Sequence, residues 1–253
     1  MNNLDIRIKE EIKKDPKVEI FSLQINNEKI WVKRARKTNS NLLHHLAYKI
    51  FDTPLLIPVE TKKAKEALIF ESSKLQYLHE KGISVPEVTH VTETYFCLKD
   101  SGKTVHDIVK NSNYNEAQTF FEKIVISLAN LHKNGEYHGG SQIKNFTYFN
   151  DEIYFIDFEE SFSSTTSLDI LQFRDLFLFL FSLSKLKTEI NYEKLIQQYI
   201  ELSGKTNVIE KFHLLAKQAS FFSNIISYKP IWNIIDSDTQ SVYRLLETLK
   251  KIT

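Results

Sequence analysis

The segment Leu131–Glu160, which reads LHKNGEYHGGSQIKNFTYFNDEIYFIDFEE, is the most informative part of the chain. Its pattern predicts a helix that ends near Gly135 and a loop that runs to Asn145. A hairpin turn at Asn150-Asp151 and a strand over 153–156 follow, and the strand delivers Asp157 at its end. Asn145 and Asp157 can therefore lie side by side. Oxygen ligands so placed suit Mg²⁺, which proteins commonly hold with one or two side chains plus substrate phosphates.

The chain before residue 100 alternates between strand and helix patterns, whereas almost everything after residue 102 has the pattern of helix. The early predicted elements are helices Leu4–Lys14, Ser40–Phe51 and Thr61–Lys81 and strands Val18–Ile25, Lys29–Arg34, Val85–Val91 and Tyr95–Leu98. Asn26-Asn27 predicts a hairpin turn between the first two strands, because asparagine tolerates positive φ. The later predicted helices are Thr104–Asn111, Glu116–Asn134, Ser167–Leu186, Tyr192–Leu202, Val208–Ser227 and Thr239–Lys251. This outline predicts an α+β fold with a β-rich N-lobe over 1–98, a hinge near 98–102 and a helical C-lobe over 99–253.

One charge interrupts the apolar face of the helix predicted over Thr61–Lys81. The apolar positions of this face, spaced three or four apart, are Ala64, Leu68, Leu75 and Leu78. Glu71 falls on the same face. Because an unpaired buried carboxylate is very costly, Glu71 needs a cationic partner from elsewhere in the chain.

Charge and composition exclude several classes of protein. The chain has 253 residues, with 33 basic and 32 acidic side chains and a net charge of +1. This balance does not support nucleic-acid binding by bulk electrostatics, so we expect no nucleic-acid partner. The composition, 42% hydrophobic and 26% charged, is that of a globular chain with an ample core.

The cysteine count and the hydropathy pattern indicate a reducing compartment. Cys97 is the only cysteine, so no disulfide can form within one chain. The N-terminal residues contain no apolar signal segment. The most apolar run, Leu176–Leu183, has eight residues, far fewer than the roughly 20 that span a bilayer. We therefore expect a cytoplasmic chain with no transmembrane segment.

Several short motifs together resemble the protein-kinase-like superfamily. His138 and Asn145 enclose HGGSQIKN, which has the spacing of the catalytic loop H-[RG]-D-x-x-x-x-N. Asp157–Glu159 corresponds to the metal-binding D-F-G or D-[FW]-E. Lys33, in IWVK, matches the lysine of the third strand, and Glu71 matches the glutamate of helix αC. The resemblance is to the bacterial branch that includes lipopolysaccharide-core (Kdo/heptose) kinases and small-molecule phosphotransferases.

Two further motifs extend this resemblance from about residue 18 to about residue 185. GISVPEV, Gly82–Val88, resembles the segment after αC in small-molecule and sugar kinases. Arg174-Asp175-Leu176 resembles the helix whose aspartate braces the catalytic loop. The resemblance therefore implies a two-lobed protein-kinase-like fold.

The resemblance also implies phosphoryl transfer from ATP with Mg²⁺. Lys33 would contact the α- and β-phosphates and would be oriented by Glu71. Asn145 and Asp157 would hold the metal across the β- and γ-phosphates. These roles suit a reaction whose catalysis is mostly positioning and neutralisation of charge.

At the hinge, the resemblance places Cys97 and Leu98 beside the nucleotide. The acceptor it implies is a non-protein hydroxyl, such as a sugar of lipopolysaccharide or a related glycolipid. Such an acceptor would bring peripheral contact with the inner face of a membrane. The alternative is a pseudokinase that binds a nucleotide or a partner without transferring phosphate.

The chain departs from the family pattern at Gly140, where the family carries its catalytic aspartate. Glycine can neither accept the hydroxyl proton nor orient the nucleophile. The groups close in sequence that could substitute are His138, Ser141, Gln142 and Glu159. For His138, a structural role that holds the loop is the competing interpretation.

A second departure is the absence of a glycine-rich phosphate loop. None of the six glycines precedes Lys33, so the backbone cannot approach phosphates in the usual way. Arg34, Arg36 and Lys37 could compensate by charge, or they could be a solvated strand end. The apolar segment 41–59 is a further addition, interpreted as extra core packing, as a lid over an acceptor, or as a surface for a membrane or partner.

Overall fold

The computed structural model describes residues 3–37, 57–226 and 237–252. The α+β class predicted from the sequence is confirmed, because a small antiparallel sheet precedes a mainly helical portion. The predicted lobe boundary between residues 98 and 99 falls at the end of the last strand of that sheet, and it stays a prediction.

Two sequence predictions concern residues 38–56, which lie outside the described part of the chain. They are the helix Ser40–Phe51 and the greater part of the apolar segment 41–59. The end of that segment is described, and there Ile57 packs against Phe162 in a small hydrophobic cluster.

The N-terminal sheet has four antiparallel strands. They are β1 (Ile20–Ile25), β2 (Glu28–Arg34), β3 (Val88–Val91) and β4 (Tyr95–Lys99), and their order across the sheet is β1-β2-β4-β3. A two-residue turn joins β1 to β2, as the sequence predicts. Its residues, Asn26 and Asn27, have φ angles of 50° and 66°, in the left-handed region that asparagine tolerates.

Helices cover both faces of this sheet. The first is α1 (Asn3–Lys14), and Val32 and Cys97 belong to the hydrophobic cluster under it. The second is α2 (Ala64–Glu80), which packs in the main core. Because successive strand residues point to opposite faces, Lys33, the neighbour of Val32, lies on the face of α2.

Helix α2 begins three residues later than the predicted Thr61–Lys81 and ends one residue earlier. Its buried residues include Leu68, Leu75 and Leu78. Glu71 is buried with them and only 4% exposed, so the prediction of a charge on the buried face is confirmed.

After β4, the described part of the chain is mainly helical and contains a second sheet, in which β6 pairs with both β5 and β7. Its elements are β5 (Lys103–Thr104), α3 (Val105–Val109), α4 (Tyr114–Lys133), a 3-10 turn (Ile143–Asn145), β6 (Phe146–Phe149), β7 (Glu152–Phe155), α5 (Leu168–Leu183), α6 (Tyr192–Ser203), α7 (Val208–Ile226) and α8 (Ser237–Leu249). The β6–β7 hairpin turns at Asn150 and Asp151, as predicted.

The apolar run within α5 forms part of the main core. Leu176, Phe179 and Leu180 have no exposed surface. Among the residues that the structure describes, no helix combines the length and the apolar character needed to cross a membrane.

Candidate functional site

A lysine ammonium and two carboxylates meet between the two sheets. The Nζ of Lys33 lies 2.7 Å from Oε1 of Glu71 and 2.5 Å from Oδ1 of Asp157. Lys33 lies on β2, Glu71 lies on α2, and Asp157 lies in the segment just after β7. The cationic partner that the sequence required for Glu71 is therefore Lys33.

Burial and charge move the pKa values of these groups in different directions. Burial alone would lower the pKa of Lys33, but the attraction of Glu71 and Asp157 outweighs it and holds this pKa above its usual value. Burial raises the pKa of Glu71 to about 7, despite the opposing attraction of Lys33. For Asp157 burial is likewise unfavourable, but the attraction of Lys33 outweighs it and lowers the pKa. Lys33 and Asp157 are therefore charged at neutral pH.

Asn145 is tied to both the loop and the strand that carries Asp157. Its Nδ2 donates to the carbonyl of Gly140 at 2.8 Å, and its carbonyl accepts from the amide of Ile156 at 3.0 Å. Asp157 has a φ of 71°, a left-handed conformation that aspartate adopts at moderate cost. Within residues 3–37, 57–226 and 237–252, no described hydrogen bond uses Oδ1 of Asn145. Its amide oxygen and the carboxylate of Asp157 form a donor set that fits Mg²⁺.

Both oxygen donors line a cleft of about 340 Å³ between the two sheets. The apolar residues of its lining are Ile20, Trp31, Pro86, Leu98 and Ile156. The charged residues include Lys33, Arg34, Arg36 and Glu71. An apolar cleft with a few converging charges is the usual form of a small-molecule site.

The two residues predicted at the hinge have different positions. Leu98 lines the cleft. Cys97 has its side chain on the opposite face of β4, where it packs with Ile8 and Val32 under α1. Strand alternation explains this correction, because neighbouring residues on a strand cannot both face one cleft. Burial raises the pKa of the Cys97 thiol to about 11.

Asp175, on α5, braces the loop that carries Gly140. Its carboxylate accepts hydrogen bonds from the backbone amides of His138 at 2.6 Å and Gly139 at 2.8 Å. The side chain has no exposed surface. Although burial is unfavourable, the hydrogen bonds and the nearby His132 lower the pKa of Asp175. The geometry matches the bracing role that the resemblance implies.

His138 and Ser141 hold the loop in place. For His138 this is the structural interpretation that the sequence left open, and for Ser141 it corrects the prediction as a substitute for the missing aspartate. The imidazole of His138 accepts from the amide of Gly140 at 3.1 Å and donates to the carbonyl of Ile156 at 2.9 Å. Desolvation lowers the pKa of His138, so the ring is neutral. Ser141 is fully buried and donates to the carbonyl of Asp175 at 2.6 Å.

The other two predicted substitutes have distinct environments. Gln142 is half-buried, and its backbone carbonyl accepts from the amide of Asn145 at the start of the 3-10 turn. Glu159 receives hydrogen bonds from Nε and Nη2 of Arg36, at 3.2 and 2.6 Å, and lies 4.0 Å from Nζ of Lys33. Arg36 is therefore paired at the cleft, which argues against the interpretation that it ends a solvated strand.

One carboxylate near the loop was not predicted from the sequence. Glu160 lies against Gly140, and its Oε2 is 3.1 Å from Nη1 of Arg174. The only signal in the sequence is that Glu160 is a second glutamate directly after the D-F-E motif. The motif has no position for a second carboxylate, and the contact with Gly140 depends on how the chain folds back.

Comparisons with known proteins give distant similarities. No protein-family model matches the chain. An uncharacterised protein of Haemophilus influenzae is 25% identical over 244 residues, which are 95% of this chain and 93% of that protein.

Among solved structures, WaaP in complex with acyl carrier protein is similar with a TM-score of 0.48 and 10% identity, over 92% of this chain and 85% of that one. The aminoglycoside phosphotransferase APH(2'')-Ib with ADP bound has a TM-score of 0.35 and 12% identity, over 98% of this chain and 100% of that one. The gentamicin complex of APH(2'')-IIa has a TM-score of 0.36 and 12% identity, over 100% of this chain and 98% of that one.

Proposed function

We propose that this chain is an ATP- and Mg²⁺-dependent phosphotransferase that acts on a non-protein hydroxyl. The observation that carries the proposal is the ammonium of Lys33 between Glu71 and Asp157 at the edge of a cleft. A structural ion pair needs one carboxylate for one lysine. A second carboxylate beside an asparagine oxygen supplies ligands for a cation, and the cation and the lysine together suit a polyphosphate.

The carboxylates around Lys33 are the reason to expect that a nucleotide enters with a metal. The ammonium lies within 4.0 Å of three carboxylates, those of Glu71, Asp157 and Glu159. A free triphosphate at this point would add negative charge beside them. Bound Mg²⁺ would supply the positive charge that neutralises the phosphates. Asp157 and Asn145 are the residues that would hold it.

The chain's own side chains have separable tasks in this proposal. Lys33 would hold the α- and β-phosphates, and Glu71 would keep its ammonium in place. The apolar lining, with Trp31 and Leu98, suits the flat face of a purine. Trp31 is itself fixed, because its Nε1 donates to Oδ1 of Asp100 at 2.7 Å.

The basic residues after β2 take the place of a glycine-rich loop in this proposal. Arg34 donates to the carbonyls of Pro16 and Val18, both at 2.8 Å, so it is held by the backbone. Arg36 pairs with Glu19 and Glu159 across the cleft. Arg36 is therefore the cation best placed to meet the phosphates from the side of β1.

For the acceptor we propose a sugar hydroxyl of lipopolysaccharide or a related glycolipid. The order and spacing of the sequence motifs support this class. A cytoplasmic location with peripheral contact at the inner face of the membrane would follow from such an acceptor.

Nucleotide binding provides the direct test. At a nucleotide concentration about 100 times the Kd, binding adds roughly 2.7 kcal/mol of stability. For a chain of this length, the melting temperature should rise by about 5–10 °C with Mg·ADP. The variants K33A and D157A should lose this rise while keeping the parent's far-UV circular dichroism.

The matched control is K133A, which removes an exposed lysine at the end of α4, outside the cleft lining. It should show the same rise as the parent. A K33A variant with the parent's affinity for ADP would contradict the site.

Gly140 favours a second candidate, a pseudokinase, because the loop lacks the family's aspartate. Release of ADP from Mg·ATP separates the two. Binding without ADP formation would identify the pseudokinase, and turnover would identify the phosphotransferase.

A further inference from the structure

A carboxylate occupies the space beside Gly140 into which a side chain at that position would extend. A β-carbon built on Gly140 would lie 3.4 Å from Oε1 of Glu160 and 3.6 Å from its carboxyl carbon. It would also lie 3.7 Å from Nδ2 of Asn145. The loop therefore lacks an acid at residue 140, but a carboxylate from another segment is present at the same place.

We propose that Glu160 is the catalytic base of the phosphoryl transfer. This inference rests on the proposed function, and it assigns the role that Gly140 leaves open to a residue outside the loop.

The loop glycines allow the segment of Glu160 to come this close. Gly139 has a φ of 95°, and a β-carbon on it would lie 3.0 Å from Cβ of Glu160 and 3.3 Å from the ring of Phe162. A side chain at residue 139 would push the segment away. The next residue is also anchored, because the carbonyl of Ser161 accepts from the amide of Glu60 at 2.8 Å.

Arg174 orients the carboxylate from beneath. Its Nη1 lies 3.1 Å from Oε2 of Glu160 and also donates a hydrogen bond to the carbonyl of Gly139. Arg174 is buried, so its guanidinium cannot follow the carboxylate into solvent. The loop, Arg174 and Glu160 are thus held as one unit.

One carboxylate oxygen of Glu160 is left to accept a proton. Its Oε2 is ion-paired with Arg174, whereas within the described residues no hydrogen bond uses Oε1, and the side chain remains 28% exposed. Burial raises the pKa of Glu160, with Arg174 opposing the change. By contrast, Glu159 accepts two hydrogen bonds from Arg36.

In the reaction, the acceptor oxygen attacks the γ-phosphorus while Glu160 takes the proton of the acceptor hydroxyl. The bond between the γ-phosphorus and the bridging oxygen breaks, and ADP leaves with that electron pair. The proton passes from Glu160 to solvent after the product departs. Because the transition state is loose, the base contributes less than the positioning groups.

The test measures ADP formation from Mg·ATP, with water and with glycerol at molar concentration as the acceptor hydroxyls. E160Q should lower kcat about 100-fold, at the lower end of the range for general bases, while the Kd for Mg·ADP stays unchanged. E152Q, which alters an exposed glutamate on β7, is the matched control and should keep the parent's rate.

Relocation of the carboxylate distinguishes a base from a structural residue. E160A opens the space beside residue 140, and Gly140 has no positive φ that would oppose a side chain. The double variant G140D/E160A should therefore recover at least tenfold in kcat relative to E160A. A structural loss at Glu160 would not be repaired in this way.

Each outcome bears on the proposal. An E160Q variant with the parent's kcat, or a double variant no faster than E160A, would overturn the role of Glu160 and leave the phosphotransferase standing. A parent chain that binds Mg·ADP but forms no ADP would overturn the phosphotransferase and this inference together.

Discussion

At the scale of single residues, one ammonium contacts two carboxylates whose pKa values are shifted in opposite directions. Lys33 contacts both Glu71 and Asp157, yet the pKa of Glu71 is raised and that of Asp157 is lowered. The difference follows from hydration, because the side chain of Glu71 is 5% exposed and that of Asp157 is 29% exposed. Asp157 thus stays ionised, as a metal ligand must, whereas Glu71 titrates near neutral pH.

This difference predicts a pH-dependent stability for the Glu71 site. Folding raises the pKa of Glu71 from 4.5 to about 7, so its contribution to stability is present below pH 4.5 and is lost as the pH rises through 7. Urea unfolding of the parent and of E71Q should show that the parent's free energy declines relative to E71Q over this interval. The relative decline should be on the order of 3 kcal/mol. Parallel curves for the two proteins would contradict the assignment.

At the scale of elements, α5 organises the loop between α4 and β6. The carboxylate of Asp175 accepts hydrogen bonds from two backbone amides that would otherwise be buried without partners. The hydroxyl of Ser141 donates to the backbone carbonyl of Asp175. A buried amide without a partner costs about 1–3 kcal/mol. The loop conformation that places Asn145 near Asp157 therefore depends on one aspartate in a largely apolar helix.

Removing this brace should be far more harmful than removing another acid of the same helix. D175N places an amide against backbone donors and should lower the free energy of unfolding by about 2–4 kcal/mol. D169N is the matched control on α5. Asp169 pairs with Lys205 and Lys211, and its side chain is 46% exposed. D169N should lower the free energy of unfolding by less than about 1 kcal/mol. Equal losses in urea titrations would show that Asp175 is not the brace.

At the scale of the whole molecule, Glu136 connects α2 to the helical portion. Its carboxylate accepts from Lys74 at 2.6 Å, Lys81 at 2.7 Å and the hydroxyl of Tyr77 at 2.8 Å. The residue follows α4 and is 7% exposed. This contact keeps the helix that carries Glu71 in a fixed relation to the loop that carries Asn145.

Acid should weaken this connection. Although burial is unfavourable, the hydrogen bonds from Lys74, Lys81 and Tyr77 lower the pKa of Glu136, so its contribution is present at neutral pH and is lost as the pH falls below the usual carboxylate range. E136Q should melt several degrees below the parent at neutral pH, and the two should converge in acid. E93Q is the control, because Glu93 pairs with Lys65 at the surface with a side chain 79% exposed. A gap that persists in acid would contradict the prediction.

Prediction from the sequence succeeded where a pattern repeats over a few residues. The helical spacing around Glu71 and the double asparagine at residues 26 and 27 both indicated the observed structure. Prediction was less successful where the structure depends on pairing with a strand that is distant in the sequence. The sequence predicted a helix from Thr104, but Lys103 and Thr104 pair with β6 before the helix begins. Cys97 was placed at the cleft, but the register of β4 turns its side chain away.

Local periodicity was enough to put Glu71 on a buried helix face and Asp157 at the end of a strand, since both follow from side-chain spacing along one element. The position of Glu160 beside Gly140 has no such local cause. It requires the segment after Asp157 to return against the loop, with Arg174 from α5 beneath it. Contacts among three separate segments depend on how side-chain volumes and charges pack together, and only the folded chain determines that arrangement.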